Sequence, residues 1–286
     1  IEDLGRVGLT NEWTRSTALI TLANLDQSEV VFRRLKAAAQ YRDSGLWSVY
    51  RRVSPKFPIA IQKLLPDRQV DRNRIRADAL SILGFYGTNA LSVLPLFDEQ
   101  LKDKSYQYRL GAVMALSNLE RQINQLDPHH PGILQIYHRW NQAACDIDMN
   151  VRLAALAEIT RCATETANAA EETALLDGLA ITLQDSSQIV RDKAVDAVRK
   201  ASLEKAALVK MLRTTAMKQS GGIRLSILSA LWGREQDAKF LLPLLEQMAK
   251  DPDPWIRANA DDMLTTLKER QRPPKGLATM AEEVPR

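Results

Sequence analysis

Six arginines, Arg76, Arg109, Arg152, Arg191, Arg224 and Arg257, each open a stretch of the form Arg-x-x-apolar-(mostly apolar)-x-x-apolar, separated by 33, 43, 39, 33 and 33 residues. Self-similarity at such a period marks a stack of small helical units, none of which buries its apolar face alone, and not one globular core. Downstream of the arginines come Ala79, Leu80 and Leu83; Ala112, Val113 and Leu116; Ala155, Leu156 and Ile159; Ala194, Val195 and Val198; Ile227, Leu228 and Leu231; Ala260, Met263 and Leu264. That spacing draws one apolar stripe on a 3.6-residue helix, and its alanines let neighbouring helices approach closely.

Four of the arginines have an aspartate six residues upstream, which gives the couples Asp103 and Arg109, Asp146 and Arg152, Asp185 and Arg191, and Asp251 and Arg257. Arg76 has Asp71 five upstream, and Arg224 has Lys218 in the sixth place. A turn carboxylate and a guanidinium on the first turn of the next helix can form a charge-assisted pair, within a repeat or to its neighbour. These couples are therefore expected to be a structural ladder that keeps the stack in register, and Arg191→Ala is expected to strip Asp185 of its cation.

Ahead of each turn lies a second apolar-periodic segment: Leu91 to Leu101, Leu175 to Leu183, Leu203 to Leu212, and Phe240 to Met248. Pro95 and Pro243 each stand 14 residues ahead of an arginine. One unit thus reads as helix, short turn, helix. Through segments such as LQDSSQIVRDKAVDAV and AKDPDPWIRANADDML the chain resembles the HEAT-repeat family, in particular its short bacterial HEAT-like variety of the phycobilisome-lyase type. The resemblance covers about residues 71–269 and implies an all-α solenoid of about six stacked hairpins. It specifies fold far better than function.

The expected organisation is a single solenoid over residues 1–269, with a degenerate first unit at 11–40, an inserted basic segment at 41–66, regular repeats from about 67, and a loose tail over 270–286. Arg15, Ala18, Leu19 and Leu22 keep the repeat's spacing, whereas Pro55 and Pro58 interrupt the insert. QLDPHHPG, from Gln125 to Gly132, reads as a smaller insertion that lengthens one gap to 43 residues. The chain opens without methionine, so a signal or anchor upstream of Ile1 stays open. No run of eighteen apolar residues crosses a membrane. Cys145 and Cys162 straddle a helix that holds them roughly 20 Å apart at 1.5 Å per residue, too far for a disulfide. Reduced thiols fit a cytoplasmic protein.

Net charge is +4, yet residues 33–76 alone carry twelve Lys or Arg against three acids, so the basic character belongs to one end. Arg33, Arg34, Arg51, Arg52 and Lys56, interleaved with Trp47 and Tyr50, form a candidate surface for an acidic protein, a nucleic acid or an anionic membrane. The same residues also suit the solvated face of a helix with buried aromatics beneath.

The resemblance implies that the second helices line a concave surface. On them, Asp78, Phe85, Met114, Asn118, Arg161, Lys193, Asp196, Lys200, Asn259 and Asp262 are candidate surface residues. The set is mixed in sign. A groove wrapping a duplex needs repeated Lys and Arg, so a HEAT-like DNA glycosylase is a weaker reading than a scaffold for a protein or peptide. A lyase-type HEAT-like enzyme is likewise a weaker reading, since nothing specifies a tetrapyrrole.

Little in the chain points to catalysis. The repeated His-Glu dipeptides of HEAT-like metal hydroxylases are missing, and His129, His130 and His138 read as loop residues around the Pro128 to Pro131 insertion, where a zinc site would still need a third ligand such as Asp127. Cys145 and His138 share a helix face two turns apart, about 10 Å along the axis, beyond hydrogen-bonding reach. No phosphate loop, dinucleotide fingerprint or nucleophile elbow occurs. The sequence therefore reads as a non-enzymatic scaffold that needs no cofactor, has no catalytic or metal residues, and takes a protein partner instead of a small-molecule substrate.

Overall fold

The computed structural model describes residues 29–40, 49, 53–56, 58, 72–165, 168–217, 221–231 and 238–270. Those residues form twelve α-helices, and among them there is no strand. In chain order they are α1 (Glu29–Gln40), α2 (Arg72–Leu83), α3 (Leu94–Gln100), α4 (Tyr106–Leu126), α5 (Gly132–Ala143), α6 (Met149–Ala163), α7 (Ala169–Leu183), α8 (Gln188–Lys200), α9 (Lys205–Met217), α10 (Gly221–Leu231), α11 (Ala238–Met248) and α12 (Pro254–Arg270). They divide into two compact units, Ile1–Ala154 and Ala155–Arg286, with the boundary inside α6. The all-α solenoid expected from the repeat period is the fold that forms.

In the first unit α1 packs on α2, and α2 on α4, while α3 and α5 lie against α4. Phe32, Leu35 and Ala39, spaced three and four apart, form the buried stripe of α1, and the Phe32 ring sits 5.4 Å from that of Tyr86. The stripe positions read from the sequence, Leu80, Leu83, Val113 and Leu116, are fully buried, together with Phe97, Ile133, Ile136 and Trp140.

Two local departures from the sequence reading have plain causes. Leu91 to Leu101 is not one helix: a 3-10 turn spans Gly87–Val93, and α3 starts at Leu94 with Pro95 in its first turn. Proline has no N–H and clashes with a carbonyl one turn back, so it is tolerated at a helix start and not inside. Second, the QLDPHHPG insertion begins as helix, because α4 continues for 21 residues to Leu126. A short turn follows in which Asp127 accepts the His129 N–H at 3.1 Å and His130 Nδ1 accepts the Gly132 N–H at 3.0 Å.

Glycine is required at two places beside α2. Gly87 has φ +55°, a left-handed conformation that a side chain disfavours. Gly84 lies so close to α4 that a Cβ there would stand 2.4 Å from the carbonyl oxygen of Ala115.

The second unit has two layers. The Arg-led helices α8, α10 and α12 pack side by side, and α7, α9 and α11 form the other layer, with α7 on α8 and α11 on α12. Asn168 caps α7 by accepting the N–H groups of Ala170 and Glu171 at 3.1 and 3.0 Å. Exposed Glu204 caps α9 in the same manner, and the N–H groups of Ala206 and Ala207 lower its carboxyl below the ordinary range. Four residues after the arginine, Leu80, Val113, Leu156, Val195 and Leu228 are all buried. In α12 that place belongs to Asp261, which is exposed.

Candidate functional site

The arginine is the fourth residue of α4, α6, α8, α10 and α12, which aims its guanidinium back over the preceding turn. In that turn the upstream aspartate folds the backbone. Asp103 accepts the N–H of Ser105 at 2.8 Å, Asp146 that of Asp148 at 2.7 Å, Asp185 that of Ser187 at 2.7 Å, and Asp251 that of Asp253 at 2.9 Å.

The arginine then binds its own turn through main-chain oxygens. Arg109 Nη1 donates to the carbonyls of Asp103 and Lys104 at 2.9 and 3.2 Å, and Arg152 Nη1 to those of Asp146 and Ile147 at 2.9 and 3.1 Å. Arg191 Nη1 reaches Asp185 and Ser186 at 2.7 and 3.0 Å, and Arg257 Nη1 reaches Asp251 and Pro252 at 2.7 and 2.9 Å. The expectation that Arg191→Ala strips Asp185 of its cation is thereby corrected. Arg191 holds the carbonyl of Asp185, and that carboxylate is turned to the Ser187 N–H.

The other guanidinium edge reaches forward to the next turn. Arg109 Nε and Nη2 donate to the two carboxylate oxygens of Asp146 at 2.6 and 2.8 Å. Arg224 Nε lies 2.8 Å from Asp251 Oδ2, and its Nη2 donates to Oδ1 at 3.0 Å. One guanidinium therefore fastens its own turn through carbonyls and the following turn through a carboxylate, which is a fork geometry that arginine offers and lysine does not. The Arg109 and Asp146 side chains are each only 9 % exposed. Burial pushes the Asp146 carboxyl up, but hydrogen bonds from Arg109 and the Asp148 N–H, with the charges of Arg109 and Arg152, outweigh it and hold the carboxyl below its ordinary value. The Asp146 hydrogen bond raises the Arg109 guanidinium further. A comparable fork, invisible in the repeat pattern, joins α5 to α3: Arg139 Nε and Nη2 meet Asp98 at 2.7 and 2.8 Å.

Arg191 breaks the pattern. The place that would send it a carboxylate from the following turn is occupied in the sequence by Lys218. Its Nη2 turns instead to Gln188 Oε1, while its Nε is buried without a hydrogen-bond partner. Lys218→Asp is expected to supply the missing carboxylate and raise the melting temperature by a few degrees, from about 1 kcal/mol of added stability at about 2–4 °C per kcal/mol. The same change in an Arg191→Ala background is expected to give no gain. Thermal denaturation of the four proteins checks both.

Of the basic candidates, Arg33, Arg34 and Lys56 are exposed, and Arg33 approaches Glu29 at 3.4 Å on the solvated side of α1. Trp47, Tyr50, Arg51 and Arg52 lie outside the described residues. Of the second-helix candidates in the first unit, Met114 is exposed, whereas Asp78, Phe85 and Asn118 are half-buried. In the second unit Lys193, Asp196, Lys200 and Asp262 are exposed, and Arg161 and Asn259 are half-buried. Arg161 is tied to Glu158 at 3.0 Å and Glu165 at 3.3 Å, which makes it part of a local ion network. Asn259 donates to the Trp255 carbonyl at 2.8 Å.

The sequence reading passed over the exposed apolar side chains beside the turns. Ile147 is 91 % exposed and Trp255 65 %, with Tyr106 and Ile189 less so. Their signal was available: Ile189 and Trp255 each stand two residues before a ladder arginine, off the buried stripe. Cys145 is exposed, Cys162 is buried, and neither is in a disulfide. Among the described residues no group of three or more His, Cys, Asp or Glu side chains is arranged to hold a metal ion. Nor, among them, is any helix long and apolar enough to cross a membrane.

Comparison with solved structures finds similarity to helical-repeat designs. An engineered protein is 14% identical with a TM-score of 0.39, covering 70% of this chain and 93% of its own. A designed armadillo repeat protein is 19% identical with a TM-score of 0.36, covering 71% of this chain and 95% of its own. A second engineered protein is 14% identical with a TM-score of 0.39, covering 89% of this chain and 74% of its own. No curated protein matches. Residues 89–267, well over half of the sequence and the span that holds five of the six arginines, match the family described as sister chromatid cohesion protein PDS5. The chain belongs to that family of HEAT-like helical-repeat proteins.

Proposed function

We propose that this chain is a non-enzymatic scaffold that binds another protein through the exposed surface of its stacked hairpins. The observation that carries the reading is where the polar chemistry goes. Among the described residues, Asp103, Asp146, Asp185 and Asp251 close turns, Arg109, Arg152, Arg191 and Arg257 hold those turns through carbonyls, and Arg109 and Arg224 also reach the carboxylate of the next turn, so this chemistry is spent within the chain. What the hairpins leave to solvent is mixed in sign and dotted with apolar residues such as Met114, Ile189 and Trp255. Such a surface suits a protein partner, with aromatic and apolar anchors set among charges. The family's printed name, a cohesion protein, is in keeping with a role exercised through other proteins.

The test is affinity capture with the full chain, followed by reconstitution from the purified chain and the captured protein. A stoichiometric complex that forms from the two purified components is the expected result. Turnover of a small molecule by the chain alone, with no complex, would overturn the reading.

A second reading rests on Arg34 and Lys56, exposed at the basic end. If that end binds phosphates, affinity for nucleic acid or anionic vesicles must fall steeply with salt as counterions are released. Binding assays at low and moderate ionic strength, with an Arg51→Ala/Arg52→Ala control, are expected to show weak binding that the double change leaves unaltered. Tight, salt-sensitive binding lost in the double variant would place the anionic-surface reading first.

A further inference from the structure

Within the first unit, the turns that open α4 and α6 stand side by side across one guanidinium. Arg109 Nη1 holds the carbonyls of Asp103 and Lys104, while its Nε and Nη2 hold the carboxylate of Asp146 at 2.6 and 2.8 Å. Ile147 follows Asp146. Its carbonyl accepts Arg152 Nη1 at 3.1 Å, and its side chain leaves the residue 91 % exposed. The same place, one after the turn aspartate, is taken by Lys104, Ser186 and Pro252 in the other three turns, all of them exposed. The turn therefore forms without an apolar side chain there, and an isoleucine so exposed adds almost nothing to the burial that holds the fold. On the neighbouring turn Tyr106, the first residue of α4, is another exposed large apolar side chain. The carboxylates of these two turns are spent inward: Asp103 on the Ser105 N–H, Asp146 on Arg109 and the Asp148 N–H, and Asp148 on the Asn150 N–H. Lys102 and Lys104 are exposed, and among the described residues neither forms an ion pair.

We propose that Ile147 is the apolar anchor of a docking surface for an acidic segment of a partner protein, with Tyr106 on the neighbouring turn and Lys102 and Lys104 as the cations that meet the segment's carboxylates. The inference rests on the protein-binding reading above and specifies where on the first unit the partner sits and what it carries. Charge complementarity names the occupant. The isoleucine calls for an apolar side chain to cover it, and the exposed lysines of the adjoining turn call for Asp or Glu flanking that side chain. An anionic membrane fits less well: a uniformly negative surface laid over both turns also meets the carboxylates of Asp146 and Asp148, whereas a peptide sets its acids against the lysines alone.

The probe is a fluorescein-labelled peptide with a central Leu flanked on both sides by Glu, together with a counterpart in which Gln replaces every Glu. Anisotropy titrations of the full chain at low ionic strength are expected to favour the Glu peptide by about tenfold, and Lys104→Glu is expected to abolish that preference. Ile147→Ser, which copies the residue of a sibling turn, is expected to weaken the Glu peptide by about tenfold and to leave the melting temperature unchanged. Ile189→Ser, on the second unit, is expected to change the binding of neither peptide. Equal binding of the two peptides, or Glu-peptide binding that survives both Ile147→Ser and Lys104→Glu, would overturn the inference. So would co-sedimentation with phosphatidylserine vesicles that Ile147→Ser abolishes while the peptides go unbound, an outcome that gives the patch to a membrane. A captured partner whose affinity is unchanged by Ile147→Ser would overturn it too, yet leave the protein-binding reading standing; failure to form any protein complex would remove that reading and this inference with it.

Discussion

Replacing Arg109 by alanine is expected to lower the unfolding free energy by about 3–5 kcal/mol, the cost of breaking a buried ion pair by removing one partner. Three losses coincide. The Asp146 carboxylate, only 9 % exposed, is left without its two-pronged donor, and the carbonyls of Asp103 and Lys104 lose the Nη1 that bridges them. A surface pair would cost about 0–1 kcal/mol, so the magnitude itself reports burial. At about 2–4 °C per kcal/mol the melting temperature is expected to fall by roughly 10 °C. A pH series adds a sign. Asp146 titrates below its ordinary value in the folded chain, so the stability it contributes is complete above the unfolded value, about 3.9, and is lost as pH falls through the folded one. Wild type is therefore expected to exceed Asp146→Asn in stability most clearly near neutral pH, with the gap closing in acid.

Gly84→Ala is expected to destabilise by about 3 kcal/mol although it adds one methyl group, at the upper end of the usual cost of overpacking. The added Cβ would lie 2.4 Å from the Ala115 carbonyl oxygen and 3.3 Å from its carbon. The obstacle is backbone of α4 and cannot rotate away, so α2 and α4 must part and the side chains between them, Leu80, Leu83 and Leu116 among them, lose contact. Gly111→Ala is the matching control. Inside α4, the nearest atom to its Cβ would be Gln100 Nε2 at 3.5 Å, an ordinary contact, and helix propensity favours alanine by about 1 kcal/mol. Denaturant unfolding of the two variants is expected to move in opposite directions.

The repeat was legible because one residue type marks it. Arginine at a fixed offset from an apolar stripe announced α4, α6, α8, α10 and α12, and the stripe positions are the buried ones. Boundaries were less so: Pro95 displaced the start of α3, and the insertion after Gln125 went partly into lengthening α4, since helix continues for as long as a face has something to pack on. The ladder's residues could be named from spacing, but not their pairing. An offset of six suggests a contact between two side chains, whereas the carboxylate is drawn to the N–H two residues on. The guanidinium, whose five donors cover two edges, takes carbonyls behind and a carboxylate ahead. Nothing in residues 98 and 139 announces the Arg139 fork, because its partners are 41 residues apart without a repeated signature. The exposed Trp255 was missed for the converse reason: attention to the apolar stripe hides an apolar residue standing off it.

A double-mutant cycle on Arg109→Ala and Asp146→Ala, measured by equilibrium denaturation, tests most directly whether one guanidinium binds successive turns together. Each single change removes the pair, and the coupling separates the carboxylate link from the bonds each residue makes within its own turn. A coupling of about 1.5–3 kcal/mol is expected for a link of this burial and geometry. Additive effects, with a coupling below about 0.5 kcal/mol, would mean that the turns are held separately, and would contradict the ladder as the device that ties repeat to repeat.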